Sequence, residues 1–192
     1  LMKRICFISG TRAEYGLLKP LIEAISDCDD FVVQIIATGM HLSPEFGLTF
    51  KEIENDGFSI NRKIEMLLSS DTASSISKST GLGLIGFSDA YSELYPDIIV
   101  ILGDRFEMLS ASIAALYARI PIAHIHGGES TAGAFDDTIR HSITKMSWWH
   151  FVANDEYKKR VVQLGENPKR VFNVGGLGVD AIKKTKLLSK TE

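Results

Sequence analysis

Ionisable side chains are concentrated in residues 124–141, which directly follow an apolar, strand-like stretch. This segment reads His-Ile-His-Gly-Gly-Glu-Ser-Thr-Ala-Gly-Ala-Phe-Asp-Asp-Thr-Ile-Arg-His. Imidazoles and carboxylates exchange protons with substrates, and arginine binds anions. The segment therefore predicts proton-transfer chemistry, with His126, Glu129, Asp136, Asp137 and Arg140 as candidate site residues.

The spacing of His124 and His126 predicts that both side chains lie on one face of a strand, because successive strand residues alternate between faces. Two such histidines could bind zinc if further His or Asp ligands converged on them. We favour proton transfer over metal binding and predict neither a metal nor another cofactor. The Gly127-Gly128 pair predicts a tight turn that returns Glu129 toward the same site.

Three other predicted strand ends carry candidate residues. The first ends at Gly10 before a helix that begins near Arg12, where backbone N–H groups and the guanidinium could bind a phosphate or carboxylate. The alternative there is a plain turn with a solvated arginine. His41 follows the second strand and could reach the same site or lie exposed in its loop. Asp104 and Arg105 follow the fourth strand, and Asp104 could be either a helix N-cap or an acid/base group.

Apolar stretches of strand length alternate with segments of helical spacing along most of the chain. This alternation predicts an α/β fold with a doubly wound parallel, Rossmann-like sheet, because each parallel crossover needs a covering helix. In such a sheet the carboxyl ends of neighbouring strands open into one crevice, where the candidate residues would meet. The predicted strands are Arg4–Ser9, Phe31–Thr38, Phe58–Ile64, Ile98–Leu102, Ile120–Ile125, His150–Ala153 and Val171–Val174.

Glycines mark two further features. Residues 1–174 are predicted to form the Rossmann-like domain, whereas the Gly-rich residues 175–192 are predicted to form a linker and the start of a carboxy-terminal domain that this chain lacks. A Gly-x-Gly-x-x-Gly pattern at residues 81–86 matches the dinucleotide fingerprint, but a polar helical segment precedes it instead of a strand. These glycines are predicted to allow close helix packing.

Composition excludes several classes of protein. With 21 basic and 24 acidic residues and a net charge of −3, the chain has no basic run that would track nucleic acid. Cys6 lies in an apolar strand pattern and Cys28 near a predicted helix end, so the two show neither a disulfide framework nor metal-ligand spacing. This favours a reducing cytoplasm. No signal region is evident, and no apolar stretch reaches the about 18 residues that span a bilayer. We predict a cytoplasmic protein without nucleic-acid or membrane partners.

Five motifs taken together closely resemble the hydrolysing UDP-N-acetylglucosamine 2-epimerases of sialic- and legionaminic-acid precursor synthesis. They span nearly the whole chain, and their combined order and spacing are highly specific. The resemblance implies the amino-terminal half of a glycosyltransferase-B-like fold, a nucleotide-sugar substrate and a homodimer. The motifs are Gly10-Thr-Arg-Ala-Glu-Tyr-Gly16, Thr38-Gly-Met-His41, Leu102-Gly-Asp-Arg105, His124-Ile-His-Gly-Gly-Glu129 and Asp136-Asp-Thr-Ile-Arg-His-Ser-Ile-Thr-Lys145.

The reaction implied by this resemblance removes the proton at sugar C2 while the nucleoside diphosphate leaves C1. Water then adds, and reprotonation of C2 from the other face gives the free N-acetylmannosamine-type sugar, so acid/base groups are needed on both faces of the ring. Asp104 matches the family's strand-end acid, Asp136 the acid before the shared arginine, and Arg140 that arginine. Arg12 and Arg140 are candidates for stabilising the departing charge.

His126 departs from the family pattern, because many relatives carry glutamate there, although capsule and legionaminic-type relatives share the histidine. Either His126 takes the acid/base role or Glu129 reaches in to replace it. The substrate stays open among UDP-N-acetylglucosamine, its GDP counterpart and a diacetamido-trideoxy UDP-sugar. Selection among them is expected from the loops after the second and third strands.

Two competing functions use the same architecture. A glycosyltransferase would need an acceptor, and a nucleotide-sugar-binding domain would show no turnover. Because the resemblance places nucleotide contacts in the carboxy-terminal domain, this chain alone is expected to be inactive.

Overall fold

A single parallel sheet organises the chain, of which the computed structural model describes residues 2–130 and 135–184. The strand order is β3-β2-β1-β4-β5-β6-β7, and every paired strand is parallel. The order reverses between β1 and β4, which confirms the doubly wound topology. The strands are β1 (Lys3–Ser9), β2 (Phe31–Thr38), β3 (Arg62–Ile64), β4 (Ile98–Leu102), β5 (Ile122–Ile125), β6 (Trp149–Val152) and β7 (Val171–Asn173).

Helices cover both faces of this sheet. Short 3₁₀ turns at Gly39–Leu42 and Pro44–Phe46 follow β2, and another at Pro168–Arg170 precedes β7. The α-helices are α1 (Arg12–Ser26), α2 (Phe50–Asn55), α3 (Ala73–Leu94), α4 (Phe106–Ala118), α5 (Asp136–Met146), α6 (Asp155–Gln163) and α7 (Leu177–Lys184).

Alternation along the central strands divides the core between the two faces. In β1, Cys6 and Ile8 pack on one face with α3, α4 and α5, whereas Phe7 packs on the other face with α1. All three side chains are completely buried. Burial on both faces explains why these strands are continuous apolar runs.

The predicted strands are all present, but β3 is shorter than expected. It begins at Arg62 and not at Phe58. Just before it, the side-chain oxygen of Asn61 accepts the N–H of Ile35 at 2.8 Å, and the Asn61 N–H donates to the Ile35 carbonyl at 2.8 Å. The side chain and the backbone N–H of Asn61 thus both bond to β2. Regular pairing between β2 and β3 begins only after Asn61, so residues 58–60 are not part of the strand.

Two of the three glycines in α3 serve packing, as predicted, whereas a Cβ atom on Gly81 would meet nothing within 4 Å. A Cβ atom on Gly83 would lie 2.6 Å from the Met66 side chain, and one on Gly86 would lie 2.4 Å from Ile64. The helix therefore lies against β3 and the loop after it at a distance that only glycine allows.

The segment after β7 contacts the helix and core on one face of the sheet. Leu177, the first residue of α7, packs against the hydrophobic core that lies between α1 and the sheet. The division into residues 1–174 and a linker at 175–192 stays a prediction, and residues 185–192 lie outside the described part of the chain.

Candidate functional site

The carboxyl ends of β1, β4 and β5 lie side by side, because β4 pairs with β1 on one side and with β5 on the other. Asp104 follows β4 after Gly103, and His126 follows β5 directly. The strand ends that carry the candidate residues therefore meet at one edge of the sheet, as the sequence predicts.

Arg140 is the centre of this edge. Its side chain, on α5, is only 8% exposed. Nη2 donates to Oδ2 of Asp104, and Nη1 donates to Oε2 of Glu129 at 3.1 Å and to the carbonyl of His126 at 3.2 Å. One guanidinium thus joins two carboxylates and one backbone carbonyl that come from different loops.

Asp104 is not the N-cap of α4. The N-cap residue is Arg105, which makes no capping hydrogen bond through its side chain. Of the two roles left open for Asp104, the N-cap is therefore wrong, because its carboxylate turns toward Arg140 instead.

His126 has an uncommon backbone conformation for a residue with a side chain. Its φ is +64°, in the left-handed region. Gly128 follows with φ +78°, and a Cβ atom there would lie 2.5 Å from the Tyr157 carbonyl. These two residues turn the chain so that Glu129 lies back against His126, with Oε1 3.2 Å from Nδ1.

The prediction that His124 and His126 share one face of a strand is wrong, also because of this backbone turn. β5 ends at Ile125, so His126 lies beyond the strand in left-handed backbone, and its Nε2 accepts the N–H of Leu177 whereas Nδ1 of His124 contacts Thr144. His124 is completely buried, with Nε2 2.7 Å from the Gly103 carbonyl and Nδ1 3.2 Å from the Thr144 hydroxyl. Within residues 2–130 and 135–184, no three His, Cys, Asp or Glu side chains are grouped as a metal site would require.

Burial lowers the pKa of both histidines, and in each case it is the largest cause. The pKa of His124 falls to about 3, so this ring is neutral and structural at pH 7. The pKa of His126 is also lowered, with Arg140 acting in the same direction and Glu129 opposing it. The His126 ring is therefore neutral near pH 7, with one nitrogen that carries no hydrogen.

Asp136 and Asp137 begin α5, four and three residues before Arg140. Both are half-buried. Asp137 accepts a hydrogen bond from the Ser130 hydroxyl at 2.8 Å. Residues 131–134, which connect Ser130 to this helix, lie outside the described part of the chain.

The start of α1 is a capping box. The Thr11 hydroxyl accepts the Glu14 N–H at 3.2 Å, and Oε2 of Glu14 accepts the N–H groups of Gly10 at 2.7 Å and Thr11 at 3.1 Å. The backbone donors predicted to bind an anion at Gly10 are therefore bonded to a carboxylate of the same helix. Arg12 projects outward, 73% exposed, and pairs with Glu52 at 3.0 Å.

A second acidic group lies beside this helix start, and sequence reasoning did not identify it as part of the site. Glu107 is completely buried, and Arg105 donates to both of its oxygens, at 2.8 and 3.2 Å. Glu14 lies 3.9 Å from the same guanidinium. Burial, the largest cause, together with the nearby charge of Glu107 raises the pKa of Glu14 to about 7. The sequence signal for Glu107 is its position three residues after Asp104 and two after Arg105, at the start of the helix that follows β4.

His41 is not an exposed loop histidine. Its ring is completely buried, with Nε2 2.8 Å from the Ser9 hydroxyl and Nδ1 2.8 Å from the Thr49 hydroxyl. Burial lowers its pKa to about 4. In this structure His41 connects the end of β1 to the loop after β2.

An open cavity of about 380 Å³ lies beside Arg105. Its walls come from the loops after β2 and β3, from α3 and from the start of α4, and half of the lining side chains are apolar. They include Met40, Phe46, Leu67, Leu68, Ile76 and Phe106. These are the loops from which sugar selection is expected.

Comparison with known proteins identifies the family. The family described as UDP-N-acetylglucosamine 2-epimerase matches residues 23–192. The chain belongs to the UDP-N-acetylglucosamine 2-epimerase family. It is 53% identical over 190 residues to the GDP/UDP-N,N'-diacetylbacillosamine 2-epimerase (hydrolyzing) of Campylobacter jejuni, covering 99% of this chain and 49% of that protein. It is 40% identical over 186 residues to the UDP-N,N'-diacetylbacillosamine 2-epimerase (hydrolyzing) of Legionella pneumophila, covering 97% of this chain and 49% of that protein.

Solved structures of 2-epimerases share the fold. The UDP-GlcNAc 2-epimerase from Neisseria meningitidis bound to UDP-GlcNAc superimposes with a TM-score of 0.81 at 20% identity, over 94% of this chain and 48% of that one. The chain spans about half the length of the curated relatives it matches. Among its described residues, no helix is both long and apolar enough to cross a bilayer.

Proposed function

We propose that the protein to which this chain contributes is a hydrolysing 2-epimerase. It converts a nucleotide-diphospho-N-acetylglucosamine-type sugar into the free N-acetylmannosamine-type sugar and a nucleoside diphosphate. The observation that carries the proposal is the joining of Asp104, Glu129 and His126 by Arg140 at the carboxyl edge of the sheet. Several acid/base groups at one open edge meet the requirement for proton transfer at two faces of a sugar ring.

Of the two alternatives for the base, we propose His126, with Glu129 orienting it. Oε1 of Glu129 lies 3.2 Å from Nδ1, so the carboxylate is placed behind the ring and leaves Nε2 as the reacting atom. Nε2 removes the C2 proton, the C–H electron pair forms the C1=C2 double bond, and the C1–O bond breaks with its electrons leaving on the diphosphate. Water then adds its hydroxyl to C1, and C2 receives a proton from the opposite face.

Asp104 and Asp136 are the proposed acid/base groups for the second face. Asp136 begins α5 and Asp104 lies in the loop between β4 and α4, and Asp104 shares Arg140 with Glu129. Arg140 is enclosed by carboxylates, so we propose that it orients them. Arg12 is exposed at the start of α1 and is the better candidate for the departing diphosphate.

The remaining candidates are proposed to contact or support the substrate site. Arg105 borders the cavity and is held by Glu107. Gly10 leaves room for Glu14, since a Cβ atom there would lie 3.3 Å from its carboxylate. His41 acts through the packing of the loop after β2. Asp137 positions Ser130 in the loop before α5.

For the substrate we propose a UDP-sugar with acylamino groups at both C2 and C4, as in N,N'-diacetylbacillosamine. The relatives at 53% and 40% identity carry that sugar in their names. We further propose a two-domain glycosyltransferase-B-like homodimer in the cytoplasm that supplies sialic- or legionaminic-acid-type synthesis. The free thiols of Cys6 and Cys28 are compatible with a reducing compartment.

The test uses the full-length protein and UDP-N,N'-diacetylbacillosamine in D₂O without an acceptor. We expect release of UDP and a free sugar that carries deuterium at C2. Release that requires an added acceptor would instead identify a glycosyltransferase. Tight binding without release or C2 exchange would identify a binding domain, and either result would overturn the proposal.

A further inference from the structure

The imidazole of His126 is bonded to the segment that leaves the domain. The backbone N–H of Leu177, at the start of α7, donates to Nε2 of His126 with an N···N distance of 3.3 Å. These residues are 51 positions apart in the sequence. The contact therefore joins the proposed base to a helix that follows the Gly175-Gly176 pair.

This bond fixes the tautomer of the ring. A backbone N–H can only donate, so Nε2 must hold its lone pair, and the hydrogen of the neutral ring must lie on Nδ1. Nδ1 faces Oε1 of Glu129 at 3.2 Å, where that hydrogen has an acceptor. Both nitrogens of His126 are thus occupied, one by a carboxylate and the other by a backbone donor.

Proton uptake at Nε2 requires the Leu177 bond to break, because the nitrogen has one in-plane lone pair. We propose that the Leu177 backbone N–H is a removable cap on His126, and that Nε2 becomes available to a substrate proton when the first turn of α7 moves away. Leu177 is then a positioning residue. The effect of this bond on turnover rests on the proposed function, whereas the bond between Leu177 and His126 is independent of it.

The two partners of this bond are held very differently. The His126 carbonyl accepts from the buried Arg140, and its backbone is fixed by the turn before Glu129. α7 packs on the core through Leu177 but is exposed further along, because Ile182 is 70% exposed, and a Cβ atom at Gly175 before it would meet nothing within 4 Å. A displacement of α7 would therefore leave the imidazole in place and break the bond.

The charged and titratable groups around His126 lie in the loops after β4 and β5, on α5 and in β5. Glu129 and Arg140 contact it directly, Asp104 is joined to it through Arg140, and the neutral ring of His124 precedes it in β5. None of these groups is on α7, so a change confined to the Leu177 backbone leaves them unaltered.

Leu177→Pro removes the donor with little cost to the helix. Proline is favoured at the first position of a helix, where the N–H has no partner within the helix. The matched control is Leu177→Ala, which also removes the leucine side chain from the core but keeps the N–H. The protein is full-length and ¹⁵N-labelled at histidine, and the His126 signals are assigned by their loss in His126→Gln.

We expect the native protein and Leu177→Ala to carry the neutral ring's hydrogen on Nδ1. In Leu177→Pro the His126 pKa should rise by about half to one pH unit relative to Leu177→Ala, because the neutral ring loses an accepted hydrogen bond. The acid limb of kcat/KM for the UDP-sugar should move by the same amount in the same direction.

A hydrogen on Nε2 in the native protein would overturn the proposal, and so would equal His126 titration in the two variants. If Leu177→Pro fails to fold, the tautomer of the native protein still decides. Absence of 2-epimerase activity in the native protein would refute the proposed function, but the tautomer and the titration would still test the cap.

Discussion

Arg140 on α5 and Glu129 in the loop after β5 are joined by a hydrogen bond of 3.1 Å between Nη1 and Oε2. The same guanidinium holds Asp104. Removing it leaves two poorly exposed carboxylates without their counter-charge, and a buried charge that loses its partner is costly. We expect Arg140→Met to lower the free energy of unfolding of the chain by about 3 kcal/mol, measured by urea denaturation.

The control is the same substitution at an exposed ion pair. Arg12 is 73% exposed and pairs with Glu52, so Arg12→Met should cost less than about 1 kcal/mol. If the two variants lose equal stability, Arg140 does not hold the carboxylates in the way the geometry indicates.

Asp104 is expected to act in turnover and not in helix capping, because α4 is capped at Arg105. In the full-length protein, Asp104→Asn should reduce kcat for release of UDP and free sugar by about 10²-fold or more. The asparagine keeps the size of the side chain and can still accept from Arg140.

The control for this loss is Asp89→Asn, which changes an exposed carboxylate on α3. It should leave kcat unchanged. A loss of less than about threefold in a folded Asp104→Asn protein would assign Asp104 to positioning instead of proton transfer.

The convergence of Asp104 with the segment after β5 follows from sequence, because parallel strands that alternate with helices put their carboxyl ends together. The side-chain directions do not follow. Helix-cap preferences favour a capping role for Asp104, yet its carboxylate bonds Arg140, 36 residues away. A local pattern carries no information about such a partner.

Strand alternation also fails at His126 for a local reason. Period-two alternation assumes extended backbone, and φ at His126 is +64°. The contact with Leu177 is 51 residues distant and uses a backbone N–H, which has no residue type to recognise. The grouping of Glu14 and Glu107 around Arg105 likewise depends on the pairing of β1 with β4.

Gly39 is expected to tolerate no side chain. Its φ is +57°, and a Cβ atom would lie 2.7 Å from Oε1 of Glu107, which Arg105 holds in place. Gly39→Ala should lower the free energy of unfolding by about 3 kcal/mol, from left-handed strain and steric overlap together.

Gly47→Ala separates these two causes. Gly47 has φ +83° with no atom within 4 Å of a Cβ position, so only the strain of about 1–2 kcal/mol applies. Urea denaturation of both variants measures the difference. Equal losses would show that the Glu107 side chain moves aside.

Two buried histidines are expected to make the chain sensitive to acid. Burial lowers the pKa of His124 to about 3 and that of His41 to about 4, from an ordinary 6.5. Below pH 6.5 the unfolded chain binds protons that the folded chain does not. As the pH falls from 6.5 to 4, each histidine should therefore lower the free energy of unfolding by about 1.4 kcal/mol per pH unit.

His124→Gln isolates one of these contributions, because the glutamine amide can still donate to the Gly103 carbonyl as Nε2 does. Urea denaturation at several pH values between 6.5 and 4 should give a smaller slope for this variant, by about 1.4 kcal/mol per pH unit. An unchanged slope would mean that His124 is protonated in the folded chain.

Glu14 is expected to act in the opposite direction. Burial is the largest cause that raises its pKa from 4.5 to about 7. Between these values the folded chain holds a proton that the unfolded chain has released, so stability falls as the pH rises. Glu14→Gln cannot ionise and should gain about 3 kcal/mol relative to the native chain between pH 4.5 and 8.

The measurement is urea denaturation of the native chain and Glu14→Gln at pH 5 and pH 8. Glutamine can still accept the Gly10 N–H through its side-chain oxygen, so the capping box is largely retained. Glu52→Gln, which changes a more exposed carboxylate, should show a much smaller pH-dependent difference. A difference between native and Glu14→Gln that is the same at both pH values would mean that Glu14 stays ionised beside Arg105 throughout.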